Sequence, residues 1–185
     1  FSPHGEAARD ISHPSAFQKE TCTEPRHFLY PRFDLYSQLD FVCISTSRGC
    51  PLRCSYCASF LLSERFSRRN PLDVVTEIEF WTRNYGIQNI AFYDDALLIE
   101  PESHIVPILK EILTRDIRCN FHAPNGLHIR EIDEELADLL FQCRFKTIRL
   151  GFETSDEHEQ LGSGGKVNNL EFKRAVRNLK RAGYT

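Results

Sequence analysis

The stretch Ser45–Cys57, S-T-S-R-G-C-P-L-R-C-S-Y-C, sets Cys50, Cys54 and Cys57 in a CxxxCxxC spacing on one short loop. Three thiolates so close in sequence can converge on one metal centre, whereas three sulfurs cannot all pair as disulfides and one is left over. An iron–sulfur cluster of four irons normally takes four cysteines. A three-cysteine loop therefore leaves one iron with an open position for a substrate or cofactor. The same loop admits two non-catalytic arrangements. One is a zinc site with a fourth ligand from Cys43 or a histidine, and the other is an electron-transfer cluster completed by Cys43.

Working outward, Asp40 to Ser45 (D-F-V-C-I-S) is a run of β-branched and aromatic residues that suits a buried strand. The cysteine loop thus falls at a strand's carboxyl end, where α/β folds collect functional groups. Downstream, Asn70-Pro71 starts a helix whose inner face is Val74, Ile78, Trp81 and Tyr85 and whose stop is Gly86. Gln88 to Tyr93 predicts a second strand, closed by Asp94-Asp95. A helix beginning between Ser103 and Pro107 follows, with Ile105, Ile108, Leu109, Ile112 and Leu113 as its apolar face.

Arg118 to His122 predicts a third strand, turned by Ala123-Pro124-Asn125-Gly126. Asp133 caps a helix carrying Leu136, Leu139, Leu140 and Cys143, so Cys119 and Cys143 read as core thiols. Lys146 to Phe152 predicts a fourth strand with Glu153 at its carboxyl end. Gly162-Ser163-Gly164-Gly165 lacks phosphate-loop spacing and reads as a mobile loop. Leu170 to Ala182 is a last helix with Phe172, Val176 and Leu179 inward. Arg65, Arg68 and Arg69 read as a solvated face, with contact to a phosphate or to RNA as alternatives.

Predicted strands starting near 41, 88, 118 and 146 are separated by a long first interval and then by intervals close to the ~30 residues of a βαβ unit. The expected fold is α/β, a parallel sheet with right-handed crossovers that forms a partial (β/α) barrel of at least four βα units. A complete barrel needs more chain at the carboxyl end, so residues 40–185 read as a truncated core. Residues 1–39 hold four of the nine prolines and read as a linker or wrapping segment, with Cys22 an incidental thiol.

At 185 residues, 41% hydrophobic and 26% charged, the chain has the composition of a globular domain. It starts at Phe1 and contains no methionine, which reads as a piece of something longer. No apolar run approaches the ~20 residues of a membrane-spanning helix, and no signal peptide is visible. A net charge of -3 argues against nucleic-acid binding driven by bulk electrostatics. Seven cysteines without an export signal point to a reducing compartment, the cytoplasm by default.

The sequence R-G-C-P-L-R-C-S-Y-C after the first strand of a β/α series resembles the radical S-adenosylmethionine (radical SAM) superfamily. F-Y-D-D after strand two, P-N-G-L-H after strand three and I-R-L-G-F-E-T at strand four are similar to the branch whose members often carry an amino-terminal cobalamin-binding domain. Residues 1–39 would then be the end of a linker from such a domain. The resemblance implies that Cys50, Cys54 and Cys57 bind a 4Fe-4S cluster whose fourth iron is chelated by S-adenosylmethionine. It further implies reductive cleavage of that cofactor to a 5′-deoxyadenosyl radical, for hydrogen abstraction or cobalamin-assisted methyl transfer, a transferase or lyase-like reaction.

By the same resemblance Tyr56 lies against the adenine, and Glu153 accepts hydrogen bonds from the ribose hydroxyls or the cofactor ammonium. Asp94 and Asp95 stand where many relatives carry a Gly-Gly-Glu that holds the methionine amino group; the other reading is an acidic cap on the next helix. Asn125 and Arg149 are further pocket residues, while His122 and His128 are expected to be structural. The implied partners are an organic substrate and an electron donor such as a flavodoxin or ferredoxin, with neither nucleic acid nor membrane.

Overall fold

A computed structural model describes residues 30–63 and 65–185; residues 1–29 of the expected amino-terminal linker, Cys22 among them, lie outside the described residues. Residues 32–185 form one compact unit. Strand β1 (Val42–Ile44) leads into the two-residue strand β2 (Ser47–Arg48), and the cysteine loop then runs into a short helix, α1 (Ser59–Leu62). Strand β3 (Ser67–Arg68) returns antiparallel to β2, pairing Ser47 with Arg68 and Arg48 with Ser67. Helix α2 (Pro71–Tyr85), β4 (Asn89–Phe92), α3 (Ile105–Thr114), β5 (Asn120–His122), α4 (Glu134–Gln142) and β6 (Phe145–Thr147) follow, then α5 (Glu157–Gly162) and α6 (Asn169–Ala182).

The sheet order is β1-β4-β5-β6 and every neighbour is parallel, as the spacing of the strands predicts. Register separates the two faces of the sheet. Val42, Ile90, Phe121 and Phe145 align across it and are buried, as are Ile44 and Phe92. The Phe92, Phe121 and Phe145 rings stack with centroids 5.4 to 5.7 Å apart, a contiguous apolar face for the helices. The alternate row, Cys43, Ala91, His122 and Thr147, belongs to the opposite face. There His122 contacts the Thr147 hydroxyl at 2.9 Å and the Asn89 side-chain oxygen at 3.3 Å, so this face is polar.

Local chemistry sets the helix ends. The Asn70 side chain accepts from the Leu72 N–H, Pro71 occupies the first turn, and Gly86 closes α2 in the left-handed conformation. Val74, Val75, Ile78 and Trp81 are buried, while Tyr85 stays at the rim against the Trp81 ring. Asp133 caps α4 through the Leu136 N–H. Cys119 and Cys143 are core thiols, and burial pushes both up to about 12.

Three expectations need correction. The fourth strand is regular only over Phe145–Thr147, with an isolated bridge from Leu150 to Leu127. A register shift between Phe121 and His122 breaks the ladder there, so Glu153 follows an irregular segment instead of a strand tip. In α6, Ala175, Asn178 and Leu179 are the buried residues; Phe172 is half-buried against the Phe152 ring, and Val176 is likewise only half-buried. The α6 stripe is thus rotated because Asn178 turns inward to donate to the Ile132 carbonyl at 3.0 Å. In α3, Leu113 is exposed at the rim.

Candidate active site

The cysteine loop leaves the carboxyl end of β1 through a stem, residues 45–49, that neighbouring elements hold. Thr46 and Ser47 are buried, and their N–H and O–H groups donate to the Asp94 carboxylate just beyond β4. Arg69 donates from its backbone to the Thr46 carbonyl at 2.9 Å and from its guanidinium to the Ser45 carbonyl at 3.0 Å. The same guanidinium pairs with buried Glu77 of α2 at 2.6 Å. Arg68 reaches Glu100, Ser103 and the Ile99 carbonyl. The expectation that Arg68 and Arg69 form a solvated face therefore fails: the Arg69 guanidinium is folded against the stem and the Arg68 guanidinium against residues 99–103, while Arg65 is exposed.

Gly49 ends the stem with φ 79°, and a Cβ there would lie 2.9 Å from the Arg65 carbonyl oxygen and 3.1 Å from the Ser63 Cβ. Both the backbone conformation and the space require glycine in R-G-C-P. Beyond it Cys50 is half-buried, Cys54 is buried and Cys57 is exposed, all three as free thiols. Burial pushes the Cys50 thiol up, and the nearby negative charge of Cys54, Cys57 and Asp95 adds to this against an opposing backbone bond at Leu52. The Cys57 Sγ accepts from the Ser59 N–H at 3.4 Å, and the Ser59 hydroxyl donates to Asp95 at 2.8 Å. Asp95 thus borders the thiols, whereas Asp94 is occupied by the stem.

Glu153 reaches the cysteine loop at Tyr56. Its backbone is left-handed, φ 64°, which is uncommon for a residue with a side chain. Its Oε1 accepts from the Tyr56 hydroxyl at 3.1 Å and from the Lys166 ammonium at 2.9 Å. Partial burial would raise this carboxyl, but Lys166, aided by Tyr56, more than offsets that and holds it below the usual carboxylate range. The Tyr56 hydroxyl is raised by partial burial and by the neighbouring Cys54 and Glu153. It remains a donor at neutral pH.

The glycine-rich segment is not a free loop. Ser55 donates its N–H to the Ser163 carbonyl at 3.2 Å, and at Gly164 (φ 109°) a Cβ would lie 3.4 Å from both the Arg53 carbonyl oxygen and the Cys54 Cα. Gly164 lets this segment press on the cysteine loop, and Lys166 follows it into the site. Lys166, Ser59, Thr46 and His104 have no local pattern to mark them; their partners lie far away in sequence. Asn125 donates to the Asp94 carbonyl at 3.4 Å and Arg149 to the Pro124 carbonyl at 3.3 Å, so both support the rim from the loops after β5 and β6. Cys43 lies on β1 beside the Tyr93 hydroxyl, and burial raises its thiol.

Among the described residues, no three His, Cys, Asp or Glu side chains are gathered as ligands of a single metal ion. A tetrahedral zinc with bonds of about 2.3 Å holds its sulfurs roughly 3.8 Å apart. A cubane cluster spreads its thiolates over separate irons, so cysteines on one loop can serve it without converging on a single ion.

Parallel βα units with thiols, carboxylates and an ammonium assembled beyond the strands' carboxyl ends define the class: an enzyme core of the β/α-barrel type. A profile of the radical SAM superfamily matches residues 44–185, and the chain belongs to that superfamily. An uncharacterized methyltransferase of Synechocystis sp. is 27% identical over 157 residues, covering 81% of this chain and 27% of the relative. The cytidylyl-2-hydroxyethylphosphonate methyltransferase of Streptomyces wedmorensis is 28% identical over 96 residues, covering 51% of this chain and 17% of that protein. The fold is shared with the radical S-adenosylmethionine methyltransferase TsrM of Kitasatospora setae, solved with tryptophan and a SAM analogue (TM-score 0.70, 24% identity, 78% of this chain and 29% of that one). It is shared also with the cobalamin-dependent radical enzyme OxsB (TM-score 0.64, 15% identity, 77% and 22%). The chain spans 27% and 36% of the length of the first two curated relatives. No helix among the described residues is long and apolar enough to cross a membrane.

Proposed function

We propose that residues 40–185 are the radical SAM core of a methyltransferase that works with cobalamin held by another part of the protein, with residues 1–39 as the connecting segment. The observation that carries this reading is the loop of Cys50, Cys54 and Cys57 bordered by Asp95 and by the Tyr56–Glu153–Lys166 group. When bound, the cluster and S-adenosylmethionine supply one-electron cleavage of a carbon–sulfur bond and cobalamin supplies methyl transfer.

The chain's own residues bind and orient. The three thiols hold the cluster, and Asp95 presents a carboxylate to the cofactor ammonium. Glu153, kept ionised by Lys166, accepts from the ribose hydroxyls, and Tyr56 lies along the adenine. Asn125 and Arg149 shape the rim instead of contacting the cofactor, because their polar groups bond to neighbouring carbonyls. An electron donor such as a flavodoxin or ferredoxin would approach the exposed Cys57 side, in the reducing cytoplasm where these free thiols persist.

The test is anaerobic reconstitution of the full-length protein with iron and sulfide, followed by S-adenosylmethionine, cobalamin and reductant. Visible absorbance with about four irons per chain and corrinoid retention after gel filtration are expected. Replacement of Cys50, Cys54 and Cys57 by alanine should abolish iron uptake. One equivalent of zinc without visible absorbance would overturn the cluster, and full-length protein that binds no corrinoid would overturn the methyl-transfer version.

A further inference from the structure

Asp94 and Asp95 are neighbours in sequence with unlike surroundings: Asp94 is 2% exposed, whereas Asp95 is exposed beside the thiols. Asp94 Oδ1 accepts from the Thr46 N–H at 3.0 Å, the Thr46 hydroxyl at 2.8 Å, the Ser47 hydroxyl at 2.6 Å and the Ser47 N–H; Oδ2 accepts from the Thr46 N–H at 3.1 Å. Four donor groups from two consecutive residues thus converge on one buried carboxylate. The single proton of the Thr46 hydroxyl goes to Asp94, so the His104 ring 2.9 Å away donates its Nε2–H to the Thr46 oxygen. His104 is itself buried. Burial holds Asp94 against ionisation while its four donors favour the charged form, and burial with Arg68 lowers His104 to about 4.

Between Ser47 and Cys50 stand only Arg48 and Gly49, and neither has slack. Arg48 pairs with Ser67 of β3, and Gly49 is pressed against the Arg65 carbonyl. A constraint on Thr46 and Ser47 is therefore delivered to Cys50. We propose that Asp94 is a positioning residue for the cluster: it fixes the stem and through it the orientation of Cys50, without touching cluster or cofactor. The inference rests on reading the loop as a cluster site. It divides the Asp-Asp pair into a buried anchor and an exposed ligand-facing carboxylate.

Asp94→Asn keeps the size and removes the charge, and its amide turns an N–H group toward donors. Thr46→Val keeps the carboxylate and removes one donor, and it serves if Asp94→Asn does not fold. Both go into the full-length protein, and amide hydrogen exchange without metal is measured alongside iron and sulfide content after reconstitution. The paramagnetic resonance of the reduced cluster is recorded with and without S-adenosylmethionine. Expected are faster exchange confined to residues 46–50, iron retention weaker by about 10–100-fold, as for lost outer-shell partners, and a broadened cluster signal. Wild-type exchange and wild-type cluster signal in both variants would overturn the proposal, as would exchange raised equally across β4, β5 and β6, which assigns Asp94 to the fold as a whole. Wild-type protein that takes up no cluster overturns the cluster reading itself, and the exchange data then decide whether Asp94 fixes the loop.

Discussion

The stem and the far limb of the cysteine loop are built differently. The stem, 45–49, has Thr46, Ser47 and Gly49 buried and is bonded to β3, to the arginine pair and to Asp94. The limb, 55–62, exposes Tyr56, Leu61 and Leu62 at 53%, 73% and 80%. It is held by the Ser163 carbonyl, Glu153 and Asp95, all at the rim of the site. One end of the loop is thus set by the folded core and the other by groups that ligands can displace. A cofactor site gains preorganisation from the first and access from the second.

The largest effect that separates them is chemical. Substituting Cys50, Cys54 or Cys57 singly by alanine should cut bound iron to background after reconstitution, with the far-ultraviolet circular dichroism of the apo-protein unchanged. Cys50, next to the stem, proving as dispensable as an exposed serine would end the comparison.

Next comes acid sensitivity of the stem. His104 is lowered to about 4 by burial and by Arg68, with the Asp94 carboxylate on the other side of Thr46. The unfolded chain takes up the proton first, so this histidine's contribution to stability is lost as pH falls from about 6.5 to 4, an effect on the order of 3 kcal/mol. His104→Gln should flatten that window in urea unfolding measured against pH. His128, also lowered to about 4 by burial and by Lys166, remains to give a residual slope.

Gly49→Ala should destabilise by about 1–3 kcal/mol, because the left-handed backbone and the crowding at Arg65 must both be accommodated. Thermal unfolding checks it. On the limb side, Lys166→Met should let the Glu153 carboxyl titrate at higher pH, visible by nuclear magnetic resonance. Because Glu153 is held below the usual range, its stabilisation exists above pH ~4.5 and is lost as pH falls through its folded value. For so exposed a pair the stability change should stay below about 1 kcal/mol. The smallest effect is at Leu62→Ser, within about 0.5 kcal/mol, since that side chain is already in solvent.

Sequence periodicity is local, and what it reads correctly here is local too. Asn70-Pro71 and Asp133 announce helix starts because a cap bonds within its own turn. The strands β1, β4 and β5 are bounded by short apolar runs, and their spacing admits only crossover connections. CxxxCxxC is legible because its ligands lie within one loop. The partners of Arg68 and Arg69 are illegible because Ile99, on one side, and Ser45 and Glu77, on the other, reach them only after the chain has folded back. The glycine-rich segment hides its packing for the same reason, since nothing near Gly164 in sequence indicates that Arg53 and Cys54 lie against it. The fourth strand was over-read because its apolar pattern continues past the point where the register shift ends regular pairing. Asp94 and Asp95 are identical letters, and only burial tells them apart.

The contact of Ser163 and Gly164 with Arg53–Ser55 joins segments separated by most of the sheet. Closing so long a stretch of chain is slow relative to local helix formation. The backing of the cysteine loop is therefore a long-range contact of the folded chain, made by residues on the far side of β4, β5 and β6 in sequence. The absence of a side chain at position 164 is what admits that contact, since a Cβ there would lie 3.4 Å from both the Arg53 carbonyl oxygen and the Cys54 Cα.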